Sequence, residues 1–190
     1  MPSSKRALGQ LRIIGGQWRS RLVEFDAADG VRPTPDRVRQ TLFDWLSPMI
    51  EGASVLDLFS GSGALGLEAL SRGAATATFV ETGAQQARAI RAALARLGAG
   101  LRADVLSQDA LAYLANTAQR YDIVMLDPPY ASPLLEQALA LLPRVLKPYN
   151  RVYLEWPKGR APALAPGWSL LREKQAGLVS FCLASWQAPA

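Results

Sequence analysis

The sequence predicts an α/β fold in which a mainly parallel sheet carries helices on both faces and is closed by an antiparallel hairpin. Three observations predict it. Short apolar runs alternate with stretches of helical spacing between Ser54 and Trp156, a turn of the form G-x-G-x-x-G joins a strand to a helix, and polar residues capable of chemistry follow the strands. In such sheets ligands sit at the carboxyl ends of the strands.

Residues 1–30 are expected to form a basic N-terminal arm, in a short hairpin, ahead of a main domain at 31–190. Lys5, Arg6, Arg12, Arg19 and Arg21 all precede the first acid, Glu24. Such an arm suits a phosphate backbone, which is bound by charge and loosened by salt. It would equally serve as a solubilising tail.

Val31-Arg32-Pro33-Thr34-Pro35 is held extended by its two prolines, and Asp36 to Leu46 carries Val38, Leu42, Phe43 and Leu46 at helical spacing. Ser54 to Phe59 reads as a buried strand, Gly61 to Arg72 as a glycine turn opening a helix, and Ala77 to Glu81 as the next strand. A helix from Ala84 to Leu97, a strand from Leu101 to Leu106, a short helix from Ala110 and a strand from Tyr121 to Leu126 continue the alternation. A helix from Leu134 to Leu146 and a strand from Arg151 to Trp156 follow. Trp168 to Leu171 and Leu178 to Leu183, joined around Gly177, are expected to pair as the closing hairpin.

With 190 residues and 49% hydrophobic content, the chain can bury one substantial core. Cys182 is the lone cysteine and there is no histidine, so an intramolecular disulfide, a thiolate metal cage and a histidine base are all excluded; no metal is expected. No apolar run approaches the ~20 residues of a membrane helix, and no apolar segment backs the N-terminus, so a cytoplasmic protein is expected.

Gly61-Ser62-Gly63-Ala64-Leu65-Gly66 follows a strand and opens a helix, which lets backbone approach a ligand closely. Alone it does not choose between a dinucleotide and S-adenosylmethionine. Glu81, ending the next strand, is placed to accept from ribose hydroxyls, which both cofactors possess. Asp57 favours S-adenosylmethionine: a carboxylate there would repel a pyrophosphate but attract an ammonium or a sulfonium. Its alternative role is to brace the turn. Asp109, after the third strand, is placed either to accept from an adenine amine or to cap the following helix.

Asp127-Pro128-Pro129-Tyr130 comes directly after an apolar strand. Two prolines stiffen the backbone and remove two N–H donors, leaving carbonyls as acceptors. An amino group on a base is a poor nucleophile because its lone pair is delocalised. The Asp127 carboxylate and the Pro128 carbonyl are expected to draw its hydrogens aside, while Tyr130 stacks on the extruded base. A carboxylate with a reference pKa of ~3.9 is too weak a base to deprotonate such an amine, so positioning carries the chemistry. The plain alternative is a rigid turn with Tyr130 capping the core.

These residues closely resemble the bacterial 16S rRNA guanine-N2 methyltransferases of the RsmD type. The likeness rests on Arg12 to Arg19, on Arg32-Pro33-Thr34 with Asp36 to Arg39, on Leu56 to Ala74 and on the Asp-Pro-Pro-Tyr loop. It implies a class I methyltransferase sheet, S-adenosylmethionine as the donor, and a guanine of 16S rRNA in the small ribosomal subunit as substrate, acted on by a monomer. The cofactor-binding set it implies is Arg32, Thr34, Asp57, Phe59, Ser60, Gly61, Gly63, Glu81, Thr82, Asp109, Ala110 and Asp127. Thr82 and Ala93 depart from the family's usual residues.

Other functions share parts of this pattern. A DNA adenine-N6 or cytosine-N4 methyltransferase uses the same loop but usually needs a separate recognition region, for which the chain has no room. A protein glutamine methyltransferase typically carries Asn-Pro-Pro-Tyr. A nicotinamide-dependent oxidoreductase fits the glycine turn but not Asp57, and a non-catalytic RNA-binding module would need only the basic arm.

Overall fold

The computed structural model describes residues 8–27, 30–130 and 132–189. It opens with two short strands, β1 (Leu8–Arg12) and β2 (Leu22–Asp26), paired as an antiparallel hairpin. Alternation along the strands turns Leu11, Val23 and Phe25 inward, and the connecting loop adds Ile13 and Trp18 to the same core.

The remaining strands are β3 (Ser54–Asp57), β4 (Thr76–Val80), β5 (Ala103–Leu106), β6 (Tyr121–Leu126), β7 (Leu146–Pro157), β8 (Trp168–Ala176) and β9 (Val179–Trp186). They form one seven-stranded sheet in the order β5-β4-β3-β6-β7-β9-β8. The pairs from β5 through β7 are parallel, and β9 runs antiparallel to both β7 and β8. The chain winds outward from β3 to one side and from β6 to the other, so a crevice opens between these strands at their carboxyl ends.

Among the described residues, five α-helices cover the sheet: α1 (Asp36–Leu46), α2 (Ala64–Ser71), α3 (Ala84–Leu97), α4 (Ala110–Asn116) and α5 (Leu134–Leu141). On one face Val55, Phe79, Ile123, Met125 and Tyr153 pack with α1, α2, α3 and the N-terminal hairpin. On the other, Leu56, Val124, Leu126, Val152 and Leu154 pack with α4 and α5. The period-two alternation of each strand thus feeds two cores, which is why the central strands read as continuous apolar runs.

Several element boundaries differ from expectation: the closing strands run on to Ala176 and Trp186 rather than ending at Leu171 and Leu183, and three further differences stand out. The helix expected to reach Leu146 ends at Leu141 and tightens into a 3-10 turn over Leu142–Val145, because Pro143 has no N–H to donate. The strand expected from Leu101 starts at Ala103, after a 3-10 turn over Gly100–Arg102. The strand expected from Arg151 begins at Leu146 and carries an irregularity between its Tyr121 and Ile123 pairings, held by the Asn150 side chain donating to the Lys147 and Trp186 carbonyls. The closing hairpin turns at Gly177 with φ +60°, and its second strand, not its first, lies against β7.

Candidate active site

Four acids stand at one edge of the sheet on four adjacent strands. Glu81 follows β4, Asp57 ends β3, Asp127 follows β6, and Glu155 lies near the end of β7. The register pairs Leu126 with Leu154, which brings Asp127 level with Glu155, one strand spacing of about 4.8 Å away at the backbone.

Asp57 is buried, and its Oδ2 accepts the Gly66 N–H at 2.9 Å. Burial pushes its carboxyl up to about 7; the Gly66 hydrogen bond opposes that rise and the charge of Glu81 adds to it. Bracing of the glycine turn is therefore a role Asp57 performs. Gly63 stands at the N-cap of α2 with φ +77°, a conformation that favours glycine. Gly66 is required for space: a Cβ there would lie 2.3 Å from the Phe79 ring. Ser60 is buried, its Oγ donating to the Asp57 carbonyl at 2.7 Å, beside half-buried Phe59.

Glu81 clasps the turn as well. Its two oxygens accept the Gly61 N–H and the Gly83 N–H, each at 2.7 Å. A carboxylate has about four acceptor sites, so two remain for a ligand. Thr82 beside it is exposed. Asp109 is exposed and caps α4, accepting the Ala112 N–H at 2.8 Å, with buried Ala110 as the first helical residue.

The loop from Asp127 to Tyr130 is half-buried at Asp127 and exposed at Pro129 and Tyr130. Burial raises the Asp127 carboxyl well above its usual range, the charges of Glu155 and Asp57 add to that, and a hydrogen bond from the Thr34 hydroxyl opposes it. Acids placed this close resist being ionised together. Pro128, Pro129, Tyr130, Glu155, Trp156 and Arg160 line a cleft of about 500 Å³. The Tyr130 hydroxyl donates to Glu155 Oε1, and the Tyr153 hydroxyl donates to Oε2 at 2.6 Å.

A network that sequence reading did not single out carries the N-terminal segment to this loop. Glu68 of α2 is fully buried and accepts the Ile14 and Gly15 N–H groups at 2.9 and 2.8 Å and Arg72 Nε at 2.7 Å. It also faces Arg39 Nη1 at 3.4 Å; Arg39, equally buried, donates through Nε to the Thr34 carbonyl at 3.0 Å. Glu68, Arg39, Thr34 and Asp127 thus form a chain. A charge inside an otherwise apolar helix face was the available signal for Arg39 and Glu68, as was a lone acid in the apolar run Val152 to Trp156 for Glu155.

Arg12, Arg19 and Arg21 are exposed, while Lys5 and Arg6 lie outside the described residues. The Arg12 carbonyl accepts from Arg39 Nη2 at 2.9 Å, whereas Arg19 is held away from the glycine turn. The loop holding Arg19 is pinned at the far end of α2, where Ser71 accepts the Gln17 N–H through its carbonyl and the Trp18 N–H through Oγ. That end is one helix length, about 12 Å, from the glycine turn. Arg32 is exposed beside the buried Thr34.

A family model described as Conserved hypothetical protein 95 matches residues 11–185. Ribosomal RNA small subunit methyltransferase D of Escherichia coli (strain K12) is 45% identical over 183 residues, spanning 95% of this chain and 92% of the relative. The protein of the same name from Haemophilus influenzae is 41% identical over 182 residues, spanning 93% and 94%. A solved structure described as putative methyltransferase yhhF from Escherichia coli superimposes with a TM-score of 0.86 at 45% identity, covering 95% of this chain and 100% of that one. With identity of this extent over nearly the whole of both chains, the protein belongs to the conserved hypothetical protein 95 family, that of the small-subunit ribosomal RNA methyltransferases D.

Proposed function

We propose that this protein transfers a methyl group from S-adenosylmethionine to the exocyclic N2 amine of a guanine in 16S rRNA, acting in the cytoplasm as a monomer on the assembled small subunit. Methyl transfer to small-subunit rRNA is the activity of its family. The observation that carries the assignment of roles is the row of acids at one sheet edge, Glu81, Asp57, Asp127 and Glu155, beside a glycine turn whose close packing admits no side chain at Gly66.

The residues present fit the cofactor. S-adenosylmethionine carries an ammonium, a sulfonium that makes its methyl electrophilic, and ribose hydroxyls. Asp57 and the turn from Phe59 through Gly63 would hold the cationic end, and Glu81 with Thr82 would hold the hydroxyls. Asp109 and Ala110 would hold the adenine, and Arg32 with Thr34 would complete the cofactor-binding set. No pyrophosphate would tolerate Asp57 in that position, which sets the nicotinamide reading aside.

Asp127 then does the work of orientation. Its carboxylate and the Pro128 carbonyl accept the two amine hydrogens, so the nitrogen lone pair turns toward the methyl, and the same carboxylate stabilises the amine as it becomes cationic. Tyr130, tethered through its hydroxyl to Glu155, offers its ring to the extruded base. Arg12, Arg19 and Arg21, with Lys5 and Arg6, would contact phosphates of the particle away from the target nucleotide.

The test is methyl transfer from labelled S-adenosylmethionine to small subunits, to naked 16S rRNA and to DNA, followed by nucleoside analysis. N2-methylguanine formed on subunits is the expected product. Label in DNA or protein instead would overturn the substrate.

A further inference from the structure

Many enzymes that methylate base amines share an Asp-Pro-Pro-Tyr loop of this kind, so the loop cannot by itself choose guanine over adenine or cytosine. Glu155 supplies a choice. It is only 6% exposed, it lines the cleft beside Tyr130, and among the ion pairs of the described residues none involves it. A buried acid without a cationic partner is costly to keep unless it serves a ligand. Its two oxygens are held by the Tyr130 and Tyr153 hydroxyls, one each, which fixes the group and leaves about one acceptor site free on each oxygen.

The register sets this carboxylate beside Asp127. A base whose amine sits at Asp127 can present to Glu155 a ring nitrogen adjacent to that amine. In guanine the amine is flanked by N1, which bears a hydrogen, and by N3, which bears a lone pair, so only its N1 edge suits a carboxylate. In adenine the one flanking ring nitrogen is N1, and in cytosine N3, each bearing a lone pair that a carboxylate repels. We infer that Glu155 is the specificity-determining residue for guanine, accepting the N1–H while Asp127 accepts from the neighbouring N2 amine. This rests on the methyl-transfer reading above and deepens it.

A site built to accept an N–H rejects an analogue that lacks one far more strongly than a purely apolar pocket would. The analogue that removes this contact is 2-aminopurine, which keeps the N2 amine but has an unprotonated N1 and lacks O6; the Glu155 variant separates the N1 contact from any contact to O6. The experiment uses small subunits assembled from ligated 16S rRNA carrying guanine or 2-aminopurine at the mapped target nucleotide, and reads kcat/KM for each. The wild-type protein should prefer guanine by at least about 100-fold. In Glu155→Gln the side-chain amide can donate to an unprotonated N1, so the preference should fall by at least about tenfold, whatever happens to the absolute rates.

A merely structural role for Glu155 would lower both substrates together and leave the ratio unchanged. Guanine methylated by the wild-type protein with no preference over 2-aminopurine, or with the same preference in Glu155→Gln, overturns the inference alone. The absence of a wild-type preference overturns the inference even if the variant fails to fold. Methyl found on an adenine or cytosine amine overturns both the inference and the substrate reading on which it rests.

Discussion

Asp57 Oδ2 accepts the Gly66 N–H at 2.9 Å, yet its carboxyl titrates near 7 because burial and the charge of Glu81 outweigh that hydrogen bond. A folded-state pKa above the unfolded value means that the protonated form stabilises the fold. That contribution is fully present below about 3.8 and is lost as pH rises through about 7. The ionised acid is thus a local burden on the empty protein, up to about 4 kcal/mol from the size of the shift. Asp57→Asn keeps an acceptor for Gly66 without the charge. We expect it to melt several degrees higher than wild type at pH 8, with the advantage vanishing near pH 4, while its affinity for S-adenosylmethionine falls. Melting curves at the two pH values check the sign.

The same titration governs cofactor binding. A cationic ligand needs Asp57 ionised, so affinity in the wild-type protein should rise between pH 5.5 and 7, by up to about tenfold per pH unit for one released proton. Asp57→Asn should show a shallower rise. Calorimetry across this range decides, and an affinity that strengthens on acidification would contradict the electrostatic role.

Glu68 holds the N-terminal loop and Arg39 at once. Glu68→Ala leaves the buried Arg39 guanidinium with the more exposed Asp36 as its acid partner and strips two backbone donors of their acceptor, a loss of about 3 kcal/mol, at the lower end of the usual cost of breaking a buried pair. Amide exchange at Ile14 and Gly15 should accelerate before exchange in the sheet. Uniform acceleration everywhere would mean that the network merely belongs to the global unfolding unit.

Gly66 and Phe79 meet without room for a methyl group. Gly66→Ala is expected to cost about 1–3 kcal/mol through overpacking, and Phe79→Leu in the same protein should recover part of it. A double-mutant cycle on denaturant midpoints measures the coupling, and strict additivity would show that the contact is not the cause.

Much of this architecture was legible in the chain. The helices Asp36–Leu46 and Ala84–Leu97 begin and end where their apolar periodicity does, the first after Pro35 and the second before Gly98 with φ +67°. The strands β3, β4 and β6 announced themselves as apolar runs because each is buried on both faces. What failed was decided by long-range contact. Pro143 ends α5 early, but Leu134 to Leu146 keeps a helical pattern right through it. Arg39 and Glu68 look like surface charges until the fold brings them within 3.4 Å across 29 residues. Arg19 looks like part of a free arm until Trp18 is seen buried, its N–H donated to Ser71 53 residues away. Glu155 stands out in the chain only as a lone acid in an apolar run, and it is the sheet register that sets it beside Asp127.

The most direct measurement is single-turnover methyl transfer to small subunits by Asp127→Ala at saturating S-adenosylmethionine, with cofactor affinity measured in parallel. Losing one preorganised acceptor of the amine hydrogens should slow transfer by roughly 100- to 1000-fold, while cofactor affinity changes by less than about tenfold, since Asp57 and Glu81 remain. Transfer at the wild-type rate would contradict the role assigned to Asp127. A loss fully explained by weakened cofactor binding would make Asp127 part of the cofactor pocket rather than the group that orients the target amine.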